Sequence, residues 1–390
     1  MRAYTGARFY PVDDPVIDGG VMLVEDGKIA EIGRDVRVPE GVQAVDLTGR
    51  VVLPGLVDAH SHVGIWGDGE GAVSNDGNEG PGPITADVSA LDAANPEQTS
   101  FASCREGGIT TVQIPPGSGN PIGGLCFACK TAGTVIDEMV IRFPTGLKGA
   151  LGENPKRSHG VGRKQAPYTR MGIAALIRSY FARAEQYMRQ REDEEEEGPD
   201  TDLGLENVCR VLRGEIPFRI HAHRHDDIVT AIRLCEELGV SYSIEHCTDG
   251  HLIADFLGER RIWAHVGPGL SSRGKVETFH RNEANPARLV GAGVRVSLVT
   301  DHPFLDSRYF MAYAGIAHKY GLSFDDTLRA ITKTPAESIG VADRVGSLSP
   351  GNDADFVILA GEPFSYRSPV LATYIEGREV YTRTPYGSEE

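Results

Sequence analysis

Asp58-Ala59-His60-Ser61-His62 follows directly on the apolar run Val51-Val52-Leu53-Pro54-Gly55-Leu56-Val57. The run reads as a buried strand, Val51 to Val57, and residues two apart on a strand share a face. His60 and His62 are therefore expected to leave the strand end in one direction, where two imidazoles can grip one metal ion. Asp58 has the same parity and could orient one of them from behind. This is the residue set of a hydrolytic metal site. An HxH pair alone is weak evidence, and its weight comes from further histidines and aspartates downstream.

Seven more short apolar segments alternate with helical stretches: Thr110 to Ile114, Cys126 to Lys130, Phe143 to Lys148, Phe218 to His223, Ser241 to His246, Ile262 to Val266 and Val294 to Thr300. Alternation of this kind predicts a parallel α/β architecture, and eight strands predict a (β/α)8 TIM barrel. That fold places its chemistry at the C-terminal strand ends. The expected strands end in or just before His60 and His62, Lys148, His221-Ala222-His223, His246 and Asp301. His221, His223 and His225 share strand parity, so spacing alone does not choose among them. A doubly wound sheet fits less well, because no glycine-rich phosphate fingerprint follows the first strand.

Both ends of the chain have a different texture. Val21-Met22-Leu23-Val24 and Ile29-Ala30-Glu31-Ile32-Gly33 flank a turn, and Tyr374 to Tyr381 reads as a final hairpin. The termini are expected to pair into one small composite β-sandwich. The resulting division is 1–57 for the first part of the sandwich, 58–345 for the hydrolase barrel and 346–390 for the second part of the sandwich.

Pro54 to His62, Ile244-Glu245-His246, Thr300-Asp301-His302-Pro303 and Ser347-Leu348-Ser349-Pro350-Gly351-Asn352-Asp353-Ala354-Asp355 together resemble the amidohydrolase superfamily over nearly the whole chain, in particular its imidazolonepropionase-like branch. The resemblance implies a distorted (β/α)8 barrel with a composite sandwich. It also implies a metal-dependent hydrolase of C–N bonds in a cyclic amide, N-acyl compound or small dipeptide. Position by position, it makes His60 and His62 the first-strand ligands, His221 the fifth-strand histidine, His246 the sixth-strand histidine and Asp301 the eighth-strand aspartate. His221 is chosen because its distance to Ile228 and the following helix resembles that in relatives. His223 then becomes a catalytic candidate through substrate contact.

Binuclear relatives bridge two ions with a carboxylated lysine on the fourth strand, which makes Lys148 a ligand candidate, with Glu153 as the alternative. One ion or two both stay open. Zinc suits these donors, and manganese, iron or nickel can take the same set. The expected chemistry is attack by a metal-activated water, with Asp301 as general base returning the proton to the leaving nitrogen. The alternative is a deaminase of a nitrogen heterocycle. Such relatives usually carry an extra acid on or after the fifth strand, and Arg224-His225-Asp226-Asp227 puts no clear carboxylate two or three positions past His221. A non-catalytic scaffold on the same barrel is a third reading, but scaffolds typically lose ligands that this chain keeps.

The 55 acidic against 39 basic residues give a net charge of -16, which argues against nucleic acid and anionic membranes and leaves a small-molecule substrate. Glu192 to Glu197 followed by Gly198-Pro199 reads as a solvated loop. Met1-Arg2-Ala3-Tyr4-Thr5-Gly6 lacks the apolar core of a signal peptide and no run approaches a membrane span, so a cytoplasmic location is expected. The six cysteines are expected to stay thiols, and Cys126-Phe127-Ala128-Cys129 has no second pair to make a metal site. A homo-oligomer is expected, as is common for such barrels. The segment from Gly64 to Gln98 is a candidate lid or substrate wall, and Arg273 and Lys275 are candidates to hold a substrate carboxylate. His302 is read as supporting, and His251, His265, His280 and His318 as ordinary.

Overall fold

The computed structural model describes residues 1–67, 71–192 and 198–384; the acidic run from Asp193 to Glu197 lies outside them. Eight strands hydrogen-bond in chain order around a distorted (β/α)8 barrel. They are β1 Leu56–Asp58, β2 Ile109–Ile114, β3 Ile122–Lys130, β4 Val140–Ala150, β5 Phe218–Ala222, β6 Tyr242–His246, β7 Trp263–Val266 and β8 Arg295–Leu298.

Two features depart from the sequence expectation. The run Val51 to Val57 is two strands in two sheets: Val51–Pro54 pairs with Phe356–Leu359 outside the barrel, and only Leu56–Asp58 enters it. Gly55 makes the hand-over, and a Cβ there would meet Thr110 Oγ1 at 2.1 Å. The second departure is β3, which runs antiparallel to both neighbours. Residues 115–121 alone connect β2 to β3, too few for a helical crossover, so strand and helix cease to alternate there. The reversal carries the end of β3 away from the ends of the other strands. Its last residue, Lys130, instead meets Asp353 at 2.9 Å and Asp355 at 2.7 Å.

β5 shows how the barrel sorts its residues. Phe218 packs on Phe181 of the helix Arg170–Glu192, ring centroids 5.3 Å apart. Arg219, the next residue, points inward and donates to Thr145 O, Ser243 Oγ and Ser338 O. Period-two alternation thus gives apolar residues to the outer helices and polar ones to the interior.

The terminal segments build the other two sheets. Arg2–Thr5, Val21–Glu25, Lys28–Gly33 and Gln43–Asp46 form a four-stranded sheet, and Val51–Pro54 joins Arg8–Phe9, Ile17–Asp18, Phe356–Leu359, Val370–Ile375 and Arg378–Thr382 in a six-stranded one. Tyr4, Phe9, Met22, Phe356 and Tyr374 from both sheets share one core, in which Phe356 and Tyr374 stack at 4.4 Å. All six cysteines are buried and unpaired. Cys126 and Cys129 lie on β3, and burial pushes the Cys126 thiol up to about 12. No described helix is long and apolar enough to cross a membrane.

Candidate metal centre

β1 stops at Asp58, so His60 and His62 stand beyond the strand rather than on it. Their direction comes from hydrogen bonds instead of strand parity. The buried Asp58 carboxylate accepts the N–H of His60 at 3.2 Å and of Thr300 at 3.3 Å, and also the Thr300 hydroxyl. Burial pushes the Asp58 carboxyl up to about 7 although these bonds pull the other way. β1 and β8 share no ladder; just past their ends Asp301 N–H donates to His60 O at 3.0 Å and His62 N–H to His302 O at 3.1 Å. The seam of the barrel is stitched at the site itself.

Two groups of buried ligand-type residues meet there: His60, His62 and Asp301, and His221, His223 and His246. Asp301 Oδ1 lies 3.3 Å from His62 Nε2 and 3.7 Å from His60 Nε2, and its Oδ2 lies 3.9 Å from His246 Nδ1. His246 stands between the groups, its ring centroid 4.9 Å from that of His60 and 4.4 Å from that of His221. His246 and Asp301 both have left-handed backbone, φ 73 and 50, a conformation that costs roughly 1–3 kcal/mol in a non-glycine residue. At the end of β6 this break in alternation lets two adjacent residues, Glu245 and His246, both face the interior.

The imidazoles are prepared as ligands. His62 Nδ1 donates to Pro115 O at 3.0 Å and His246 Nδ1 to Gly267 O at 2.8 Å. A carbonyl only accepts, so each ring carries a proton on Nδ1, and in the neutral imidazole Nε2 is the nitrogen left to bind a metal. His60 Nδ1 meets Glu245 Oε2 at 2.6 Å, and His223 Nδ1 lies 2.7 Å from Thr248 Oγ1. His221 is the exception: its Nδ1 has no hydrogen-bond partner among the described residues.

Burial, reinforced by neighbouring cations, holds His60, His221 and His223 well below the usual imidazole value and brings His246 to about 4. Burial alone would raise Asp301, but His246, His62 and His60 outweigh it and keep its carboxyl well below the usual range. Bare nitrogens around an ionised carboxylate are the donors a divalent ion takes, and ligand atoms of a tetrahedral zinc ion stand about 3.4 Å apart. The Asp301 distances bracket that spacing, so the residues fit the ion.

Lys148 is fully buried with Nζ 3.3 Å from His60 Nε2, and burial lowers its ammonium. Glu153 belongs to neither ligand group among the described residues; its backbone N–H donates to Glu277 Oε2 at 2.9 Å. His225 begins the helix His225–Leu238 and is half-exposed beside Asp249, because the chain has already left β5. His265, expected to be ordinary, is tied to the site through Glu245, with Nδ1 2.9 Å from Oε2.

Two carboxylates escaped the sequence reading. Glu245 adjoins His246, and strict alternation would put the two on opposite faces. Glu277 lies in the turn Val276–Thr278, where no periodicity marks it, and its Oε1 is 3.7 Å from Nε2 of both His221 and His223.

A cavity of about 690 Å³ opens over the centre. Trp66 and Asn78, from the long segment after β1, supply part of its wall, and Trp66 packs between His62 at 5.3 Å and Phe304 at 5.9 Å. Arg157, Lys275 and Arg281 line it as well. Arg273 does not; its guanidinium lies 6.0 Å from the Phe279 ring.

The amidohydrolase family model matches residues 192–380. Amidohydrolase tasK from Hapsidospora irregularis is 28% identical over 92% of this chain, which spans 39% of that protein's length. The imidazolonepropionase of Deinococcus deserti is 26% identical over 88% of this chain and 86% of its own. The crystal structure of an amidohydrolase from Thermotoga maritima MSB8 is 41% identical, covers 98% of this chain and 100% of its own, and has a TM-score of 0.94. Likeness of that degree along both full lengths, over a barrel whose seam carries the histidines and Asp301, means that the chain belongs to the amidohydrolase family, enzymes that act on carbon–nitrogen bonds.

Proposed function

We propose that this enzyme is a metal-dependent hydrolase of the C–N bond in small acid-bearing amides, N-acyl amino acids or dipeptides, with cyclic amides as the neighbouring class. The observation that carries the reading is the Asp301 carboxylate set against Nε2 of both His60 and His62. His60, His62 and Asp301 would hold a divalent ion, with His221 and His246 adding donors and Lys148 beside them. When bound, such an ion, zinc being the natural fit, supplies Lewis acidity that makes water a nucleophile near neutral pH.

Asp301 accepts the proton of the attacking water and returns it to the leaving nitrogen, a role supported by its ionised carboxylate and its place in the cavity lining. Glu245, Pro115 O and Gly267 O hold the rings of His60, His62 and His246 in one orientation. Trp66 and Phe304 offer the reacting carbonyl an apolar side. Arg157, Lys275 and Arg281 give the cavity a cationic side that suits a substrate carboxylate. A neutral heterocycle would leave those charges unused, which favours amide hydrolysis over deamination.

The test is metal analysis of protein purified without chelator, followed by parallel assays. Amino-acid release from N-acyl amino acids and dipeptides is compared with ammonia release from purines and pyrimidines. Retained divalent metal with amino-acid release is expected. Ammonia release alone would replace the reading with a deaminase, and protein that takes up no metal would sink both.

A further inference from the structure

We infer that Asp249, His225 and His280 form a structural site for a divalent transition ion such as zinc on the rim of the barrel, outside the catalytic centre. The three come from separate elements: His225 opens the helix His225–Leu238, Asp249 lies in the turn after β6, and His280 lies in the loop between β7 and β8. Asp249 carries the argument. It is 1% exposed, and a carboxylate taken out of water needs partners for its oxygens. Its Oδ1 has none among the described residues, and its Oδ2 accepts one long hydrogen bond, from the His225 N–H at 3.3 Å. The other buried carboxylates are better served: Asp58 is held by His60 and Thr300, and Asp353 by Lys28, Lys130 and Arg344.

What faces this carboxylate is a pair of imidazoles. Nδ1 of His225 and Nδ1 of His280 each lie 3.5 Å from Asp249 Oδ2. That is long for an N–H···O bond, about 3.0 Å, and close to the spacing of two ligand atoms on one tetrahedral ion, about 3.4 Å. Two protonated imidazoles would answer the charge of Oδ2 and still leave Oδ1 unserved, whereas an ion held by both oxygens serves both. The two rings are spread more widely than those of the buried groups at the centre. Their side chains are 48% and 57% exposed, however, and exposed side chains change rotamer freely, so an ion on the carboxylate can draw both rings in.

His251 supplies a further imidazole nearby. Burial holds it below the usual imidazole value, and Asp249 and His280 both act on it electrostatically. Its Nδ1 has no hydrogen-bond partner among the described residues. His251 and His280, expected from the sequence to be ordinary, thus stand around one under-served carboxylate. An ion there ties together the start of a helix, the turn after β6 and the loop after β7. That loop supplies Leu270, Ser271, Lys275 and Arg281 to the cavity wall, and the Asp249 N–H is bonded to His223 O at 2.8 Å. The ion's role is to fix the wall of the cavity, with no part in the bond-breaking step.

The test is equilibrium dialysis of the full chain against buffered free Zn²⁺ in excess Mg²⁺, with bound zinc counted by atomic emission. His225→Ala and His280→Ala alter half-exposed residues away from the reacting atoms. Each is expected to bind one zinc equivalent fewer than wild type at the same free zinc. His318→Ala, a control whose ring is engaged by Leu322 O at 2.8 Å, should keep the wild-type count. Added zinc should also raise the thermal midpoint of wild type further than that of either variant. If one variant loses its fold by circular dichroism, the other carries the test. Zinc counts equal to wild type in His225→Ala and His280→Ala would overturn the inference, and so would an equal loss in His318→Ala, the mark of unspecific binding to histidines. The reading is a difference between chains that share the same catalytic centre. A centre that binds no zinc lowers every count alike, so failure of the proposed function and failure of this site are told apart.

Discussion

Glu245 Oε2 lies 2.6 Å from His60 Nδ1, with both side chains sealed from solvent. Burial by itself would raise this carboxyl, but His265 and His60 outweigh it and hold it well below the usual range. An ionised Glu245 can only accept, so His60 keeps its proton on Nδ1 and presents Nε2 to Asp301. Glu245→Gln retains the shape but offers an amide N–H that can reverse the tautomer. Zinc affinity, measured by competition with a chromogenic chelator, is expected to fall about 10–100-fold. Unchanged affinity would reduce the Glu245 contact to packing.

Asp301→Asn tests the proton acceptor. The amide fills the same space and can keep a contact to His62, but it cannot take a proton from water. Turnover should fall by about 10²–10⁴-fold, with a circular dichroism spectrum like wild type. Turnover within a few-fold of wild type would remove Asp301 from the role.

The eight barrel strands could be read because each is a short apolar segment bounded by turns. The candidates His60, His62, His221, His246 and Asp301 stand where such segments stop, although position alone did not separate His221 from His223 and His225. What could not be read depended on neighbours in space. The split at Gly55 has no local mark, since Val51–Pro54 and Leu56–Asp58 are equally apolar and only their partners differ. The reversal of β3 follows from the short connection 115–121, a length visible in the sequence but hidden by the assumption that every strand is followed by a helix. Glu245 was concealed by alternation, which the left-handed backbone of His246 breaks, and Glu277 by its place in an aperiodic loop.

Gly55→Ala should loosen the first strand together with the histidines it carries. The added Cβ would stand 2.1 Å from Thr110 Oγ1 and 2.5 Å from its Cγ2, and Gly55 N–H is held by Asp355 O at 2.8 Å. Overpacking of this kind costs typically 1–3 kcal/mol. A lower urea midpoint and a weaker zinc affinity are expected together. Thr110→Ala in the same chain removes the two nearest contacts and should recover part of both, and a double mutant no better than the sum of the single changes would show that the clash is not the cause.

Lys130 tests the junction between barrel and sandwich. Its ammonium is buried between Asp353 at 2.9 Å and Asp355 at 2.7 Å, and Asp353 is also held by Lys28 and Arg344. Lys130→Met leaves Asp355 Oδ2 without its cation in a buried place, a change that costs about 3–5 kcal/mol. The pH dependence has a defined sign. Burial would raise the Asp353 carboxyl, but Lys130, Lys28 and Arg344 outweigh it and hold it below the usual range. A carboxyl lowered by folding contributes stability that is present above its unfolded value, about 3.9, and is lost as pH falls through the folded one. Without Lys130 that lowering shrinks, so acid unfolding followed by circular dichroism should begin at a higher pH than in wild type. A variant that keeps the wild-type acid midpoint and urea midpoint would mean that the remaining cations, Lys28 and Arg344, suffice to hold the junction.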